Sequence, residues 1–222
     1  MSNDAATKPS DNKKLNTKAA GVIAIAVMFS RVLGLIREVL FNALFGAAPM
    51  GIFLIAFRAP NLLRDLFAEG ALSISFITIF SKKIETNGDA SAWALASKML
   101  TLTTIFMSII TLLGMLFAKQ FIGVLAPGFA PQDAQVTIML TQIMFPFILL
   151  VSLAALVMGM LNSKNVFGIP ALASSFFNIG SIVAGVFFGW LMDPNFGERA
   201  LIGLAIGTLI GGLFQLAVQL PS

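Results

Sequence analysis

Long apolar runs, set apart by short polar stretches, organise this chain from about residue 19 onward. Ahead of them, residues 1–18 are rich in Asn, Ser, Thr and Lys and read as a disordered tail. The first run, about 19–45, reads as a spanning helix that ends at Phe45-Gly46. Lys13, Lys14 and Lys18 ahead of the apolar stretch 19–29 resemble the start of a signal peptide. No small-residue cleavage site follows; Ser30 and Arg31 do, and the apolar pattern resumes, which excludes cleavage. A second run covers about 51–80. Its Pro60 removes a backbone donor and disfavours helical geometry at Ala59, so a kink is expected there. At about 1.5 Å per residue this run exceeds a hydrocarbon core of about 30 Å and must tilt, bend or emerge.

The link 81–91 (SKKIETNGDAS) holds the turn signal Asn87-Gly88 and a helix cap at Ser91. Four further helices are expected at about 92–122, 134–161 with Pro146 inside, 169–191 and 199–219. Links at 126–133 (APGFAPQD), 162–168 (NSKNVFG) and 193–197 (DPNFG) separate them. No internal repeat stands out among the six.

Composition settles the class. Of 222 residues, 58% are hydrophobic and 11% charged, with a mean hydropathy of +0.93; soluble domains are about 25% charged. The fold class is therefore an all-α integral membrane protein with six transmembrane helices. There is no Cys and no His, which removes disulfides, thiol chemistry, the usual proton relay and the commonest metal ligand. Neither a metal nor a cofactor is expected. The formal charge of +4 lacks a basic face interleaved with aromatics, so it argues for orientation in a bilayer and not for nucleic acid. With the N-terminus cytoplasmic, Lys8, Lys13, Lys14, Lys18, Lys82, Lys83 and Lys164 share that side, and only Lys119 and Arg199 fall opposite. That asymmetry predicts both termini in the cytoplasm.

Seven charges remain inside the spans: Arg31, Arg37 and Glu38 in the first, Arg58, Arg64, Asp65 and Glu69 in the second. At about 100° per residue, Arg58, Asp65 and Glu69 return to nearly one helix face, and Arg64 points away from it. A central Arg or Asp costs about 2.5–3.5 kcal/mol each unless it faces water or a partner. This cost predicts that at least three of the four arginines turn away from lipid. A structural ion pair between Arg31 and Glu38, seven residues apart, is one reading of the cluster. The arginines outnumber the acids, however, and the surplus calls for an anion. A guanidinium binds phosphate bidentately, so a diphosphate-bearing substrate fits. No P-loop, HExxH or nucleophile elbow is present, which argues against an enzyme. The 21 Phe and 11 Met read as packing and lipid-facing residues. Gly70, Gly114, Gly159 and Gly211-Gly212 suit close helix approach. Asn42, Gln142, Asn178 and Gln215 either line a cavity or are satisfied by neighbouring helices.

Several stretches together resemble the MurJ (MviN) lipid II flippase family of the multidrug/oligosaccharidyl-lipid/polysaccharide exporter superfamily. They are 30–38 (SRVLGLIRE), 45–47 (FGA), 56–73 (AFRAPNLLRDLFAEGALS), 126–130 (APGFA), 145–156 (FPFILLVSLAAL) and 159–171 (GMLNSKNVFGIPA). The resemblance implies a transporter of two six-helix lobes plus two helices around a cationic cavity. It carries lipid II from the cytoplasmic to the periplasmic leaflet of the bacterial inner membrane by alternating access. It also implies that Arg31, Arg37 and Arg64 line the cavity, with Ser30 beside them as substrate-binding residues, and that the acid Glu69 is needed; Glu38, Arg58 and Asp65 complete the cavity charge network with Glu69. Membrane potential and an ion gradient stay open as the driving force.

Three positions depart from the family pattern. Glu38 stands where Asp is usual, Asp65 replaces the second residue of an Arg-Arg pair, and Gly51 or Ile52 falls where an early Asp of helix two is expected. The chain matches the N-terminal lobe alone. On this reading its partners are lipid II or a similar diphosphate-linked glycan lipid, membrane lipids and a C-terminal lobe. The alternatives are an exporter of another lipid-linked glycan and a truncated membrane module that does not transport.

Overall fold

The structure, a computed structural model, describes residues 9–67 and 71–220. Its elements are α1 (Pro9–Phe45), α2 (Ala47–Phe67), α3 (Ala71–Leu116), α4 (Ala118–Leu125), α5 (Pro131–Met144), α6 (Phe147–Ser163), α7 (Gly168–Met192) and α8 (Ala200–Ala217). Among the described residues, four stretches are long and apolar enough to cross a membrane: Thr78–Leu116, Pro131–Ser163, Gly168–Met192 and Ala200–Ala217. The all-helical membrane class expected from composition is the class observed. α1 and α2, which are not among those four, hold Arg31, Arg37, Glu38, Arg58, Arg64 and Asp65.

Several boundaries differ from the sequence reading, each for a local reason. α1 reaches back to Pro9, through much of the polar segment expected to be disordered; a proline is tolerated at a helix's first position because its missing N–H would be unpaired there anyway. The expected second span is helical through Pro60 to Phe67, and its residues 68–70 lie outside the described residues. The link 81–91 is helical on both sides of Gly88, and Ser91 lies inside α3, not at its cap. The span expected to run unbroken through Pro146 is divided there into α5 and α6, and the third span is divided at Phe117 into α3 and α4.

Gly88 is where α3 doubles back. Its backbone is non-helical, with φ 76° and ψ 171°, a region that costs glycine little. Phe80 and Trp93, 13 residues apart, would stand about 20 Å apart on one straight helix, yet their ring centroids are 6.1 Å apart. Phe80, Ala92 and Ala96 pack together with Leu156 and Met160 of α6. Polar contacts hold the same corner: Lys164 Nζ reaches Asp89 Oδ2 at 2.9 Å and lies 5.2 Å from the Trp93 ring, and Ser81 Oγ meets Ser163 Oγ at 3.1 Å. The second sharp reversal, between α1 and α2, uses Gly46 at φ 78°.

α7 and α8 form the most extensive helix pair. Gly185 and Gly189 on α7 face Gly203, Gly207 and Gly211 on α8 so closely that a Cβ on Gly207 would collide with the Gly185 backbone. In a bilayer, where apolar burial drives little helix association, such small-residue seams supply the packing.

Pro60 passes through α2 without ending it because its backbone debt is met from α5. Proline at 60 has no N–H for the carbonyl of Ala56, four residues back. Fully buried Thr141 places Oγ1 3.1 Å from that oxygen and 2.7 Å from Thr137 O, so one hydroxyl proton serves both carbonyls. Thr141→Val should therefore lower stability by about 1 kcal/mol. In a Pro60→Ala background, where residue 60 regains an N–H for Ala56, most of that loss should vanish. Thermal unfolding of the four proteins in a double-mutant cycle measures this; additive losses would show that Thr141 does not answer the orphaned carbonyl.

Candidate functional site

α1 and α2 carry the same eight-residue frame, Arg-x5-Arg-acid: Arg31 to Arg37-Glu38, and Arg58 to Arg64-Asp65. In both, the first Arg and the acid are seven residues apart and share a face, whereas the second Arg is turned by roughly 120° from the first. Burial follows this geometry. Arg31, Glu38, Arg58 and Asp65 are exposed on their helices, and Arg37 and Arg64 are half-buried. The exposed face of α2 also carries Leu54, Leu62 and Leu66, so its two charges stand in an apolar strip.

The inward-turned arginines are anchored differently. Arg37 places its guanidinium carbon 5.1 Å from the centroid of the Phe177 ring on α7, an attraction worth about 0.5–2 kcal/mol. Arg64 holds its own neighbour, with Nε and Nη2 at 3.1 and 2.7 Å from Asp65 Oδ1. Arg31 and Glu38 do not form the ion pair their spacing allowed: among the described residues the ion pairs are Arg64–Asp65 and Lys164–Asp89. Glu69 lies outside the described residues.

Within this chain Arg37 and Arg64 are half-buried and Arg31 and Arg58 exposed. Arg37 lines a cavity of about 220 Å³ with Glu38, Phe53, Phe57, Phe177 and Ser181; Arg31, Arg58 and Arg64 do not line it. Measured along the helices from the Gly46 turn, the arginines stand at roughly 14 Å (Arg37), 18 Å (Arg58), 22 Å (Arg31) and 27 Å (Arg64). Along the two helices they are thus staggered in steps of roughly 4–5 Å.

Sequence reasoning did not single out Phe177, and it left Asn178 open between cavity lining and packing. Asn178 is 6% exposed, donates from Nδ2 to the Ser30 carbonyl at 3.0 Å, and lies against Gly34. The adjacent pair thus fixes α1 against α7 at the level of Ser30 to Arg37. Of the other three amides singled out in sequence, Asn42 donates to Glu38 O one turn back and Gln142 donates to Met115 O. The repeated frame was the readable signal for the two helices; Phe177, one aromatic among many, carried none.

An all-helical membrane fold with two arginine–acid frames on successive helices is the class of one lobe of an exporter-type transporter, and known proteins agree. The family model for lipid II flippase MurJ matches residues 41–222, so the chain belongs to the MurJ family, whose members are transporters and not enzymes. It is 37% identical over 202 residues to a probable lipid II flippase MurJ of Buchnera aphidicola subsp. Acyrthosiphon pisum, covering 90% of this chain and 39% of that protein. It is 36% identical over 220 residues to the probable lipid II flippase MurJ of Bdellovibrio bacteriovorus, covering 97% and 41%. A solved lipid II flippase MurJ in an inward closed conformation superposes with a TM-score of 0.72 at 28% identity, covering 90% of this chain and 41% of that one. The chain thus spans about two fifths of the length of these relatives.

Phe177→Leu should uncouple α7 from Arg37, and Phe177→Trp should not. A double-mutant cycle with Arg37→Gln, read by thermal unfolding, should return a coupling of about 0.5–2 kcal/mol for the native ring and for Trp, and close to zero for Leu. Equal couplings for all three would remove Phe177 as the platform.

Proposed function

We propose that this chain is the arginine-bearing lobe of a flippase that moves lipid II, or a closely similar diphosphate-linked glycan lipid, from the cytoplasmic to the periplasmic leaflet of the bacterial inner membrane. The observation that carries this reading is the position of Arg31 and Arg58. Both lie exposed on apolar helices, and neither has an ion-pair partner among the described residues. A guanidinium in such surroundings is sustained by water or by an anion, and its paired N–H groups match two oxygens of a phosphate.

The lysine distribution supports a topology with both termini in the cytoplasm. The Gly46 turn then lies toward the periplasm, and Arg64 is the arginine nearest the cytoplasm. A diphosphate entering from the cytoplasmic side would meet Arg64 first and Arg31, Arg58 and Arg37 in turn. Ser30 stands beside these arginines, and Glu38, Asp65 and Glu69 temper their charge so that the anion can leave as well as bind. Alternating access requires a second lobe for this face to rock against; we assign that part to a partner lobe of the kind the longer relatives have room for.

Arg31→Ala and Arg37→Ala should each abolish transport in the full-length protein while membrane insertion persists. One lost charge-assisted contact is worth about 1.5–3 kcal/mol, tenfold or more in rate. Lys should rescue poorly, because it offers a point charge in place of a fork. A complementation assay in which both Ala variants sustain normal wall synthesis would refute the anion-binding role. Residues 1–222 alone should insert and yet leave lipid II unflipped in vesicles.

A further inference from the structure

The cavity beside Arg37 is walled by aromatic rings, and one ring behind that wall touches two of them. Phe57 of α2 and Phe177 of α7 both line the cavity, and Phe177 carries the Arg37 guanidinium. Phe147 of α6 does not line it and is 1% exposed. Its ring centroid lies 5.4 Å from that of Phe57 and 5.5 Å from that of Phe177, with the planes tilted by 53° and 44°. Both spacings fall within the range of about 4.5–7 Å in which offset and edge-on rings attract. Phe57 in turn stacks on Phe53 at 6.3 Å. A run of rings from α7, α6 and α2 thus leads from Arg37 on α1 to Phe57, the residue before Arg58.

The seat of Phe147 follows from its neighbours. The chain divides at Pro146, which makes Phe147 the first residue of α6. Its ring also fills the space left by the missing side chain of Gly212 on α8, where a Cβ would lie 3.0 Å from Phe147 Cδ2. One buried side chain therefore touches α2, α7 and α8 together, whereas α1 and α2 meet each other only sparingly. Close-packed rings cannot shift singly without opening a void or forcing a neighbour to move.

We propose that Phe147 is a positioning residue that fixes Arg37 of α1 relative to α2. From α6 it holds the Phe177 ring beneath the guanidinium and the Phe57 ring beside Arg58, so that the two arginine-bearing helices keep one relation to each other. Its contribution to anion binding is orientation, not charge, and this part rests on the anion-binding reading of Arg37 above. A guanidinium binds phosphate through a planar fork, so its affinity depends on the angle at which it is held. Without the ring behind it, Phe177 is free to turn, and Arg37 must be ordered again each time an anion arrives.

The test follows thermal unfolding of the purified protein in lipid nanodiscs, with inorganic pyrophosphate as the probe. Tm without anion reads packing, and the half-saturating pyrophosphate concentration of the Tm rise reads positioning. Phe147→Leu should raise that concentration several-fold and should add nothing in an Arg37→Gln background. An unchanged half-saturation beside a lowered Tm would leave Phe147 as packing alone and overturn the proposal. An equal effect in the Arg37→Gln background would overturn it too. If Phe147→Leu does not fold, Gly212→Ala presses on the same ring and should give the same rise, and its absence there would count equally against the proposal.

A second arm needs no anion. Arg37→Gln and Phe57→Leu should lower Tm non-additively in the native protein and additively in a Phe147→Leu background, or in Gly212→Ala if the former does not fold. Additive losses throughout would remove Phe147 as the link. A coupling that survives these changes would assign it to contact across the cavity and overturn the proposal as well. Coupling through Phe147 with no response to pyrophosphate would uphold the positioning role and overturn the anion-binding reading of Arg37 instead.

Discussion

Hydrocarbon does not answer a carbonyl or a charge, so every polar group in these spans must find its partner inside the protein or face water. An unanswered backbone group costs several kcal/mol in lipid. The fold is arranged around that constraint. Where Pro60 withdraws a donor, Thr141 supplies a proton to the Ala56 carbonyl. Where Gly46 and Gly88 reverse the chain, a positive φ lets one residue make the turn. The same demand separates the charges. Arg37 is met by the Phe177 ring and Arg64 by Asp65, whereas Arg31 and Arg58 are left on open faces.

The helical membrane class, the reversals at Phe45-Gly46 and Asn87-Gly88 and the concentration of charge on two helices were legible from hydropathy and turn chemistry alone. Interruptions were not. Nothing around Phe117 marks the α3/α4 junction, and Pro60 and Pro146 look equivalent in sequence. Only Pro60 sits in an unbroken helix, and the difference rests on a hydroxyl 85 residues away. Local pattern carries no information about such a partner. The helical stretch from Pro9 shows the same limit in reverse, since polar composition predicts disorder without reporting what a helix already nucleated downstream can extend.

At the site, residue type was readable and direction was not. Desolvation cost correctly marks four arginines as expensive, but cost alone does not say which way each one points. The repeated Arg-x5-Arg-acid frame does. An offset of seven returns to the same helix face and an offset of six does not, so each frame turns its second arginine away from its first arginine and its acid. Glycine positions were likewise legible as close-packing sites, and Gly114, Gly211 and Gly212 do meet neighbouring helices at short range.

The two frames also bear on how such a lobe could release what it binds. The arginines are staggered by roughly 4–5 Å along the helices, and acids stand beside Arg37 and Arg64, the two ends of the series. Each end therefore pairs an attractive guanidinium with a carboxylate that repels the same anion. The middle two, Arg58 and Arg31, have no adjacent acid. An anion passing along this series would be held most firmly midway and most loosely at either end. That profile suits passage across a bilayer better than storage within it, because it resists the hydrocarbon barrier where the barrier is highest and weakens where water is again within reach.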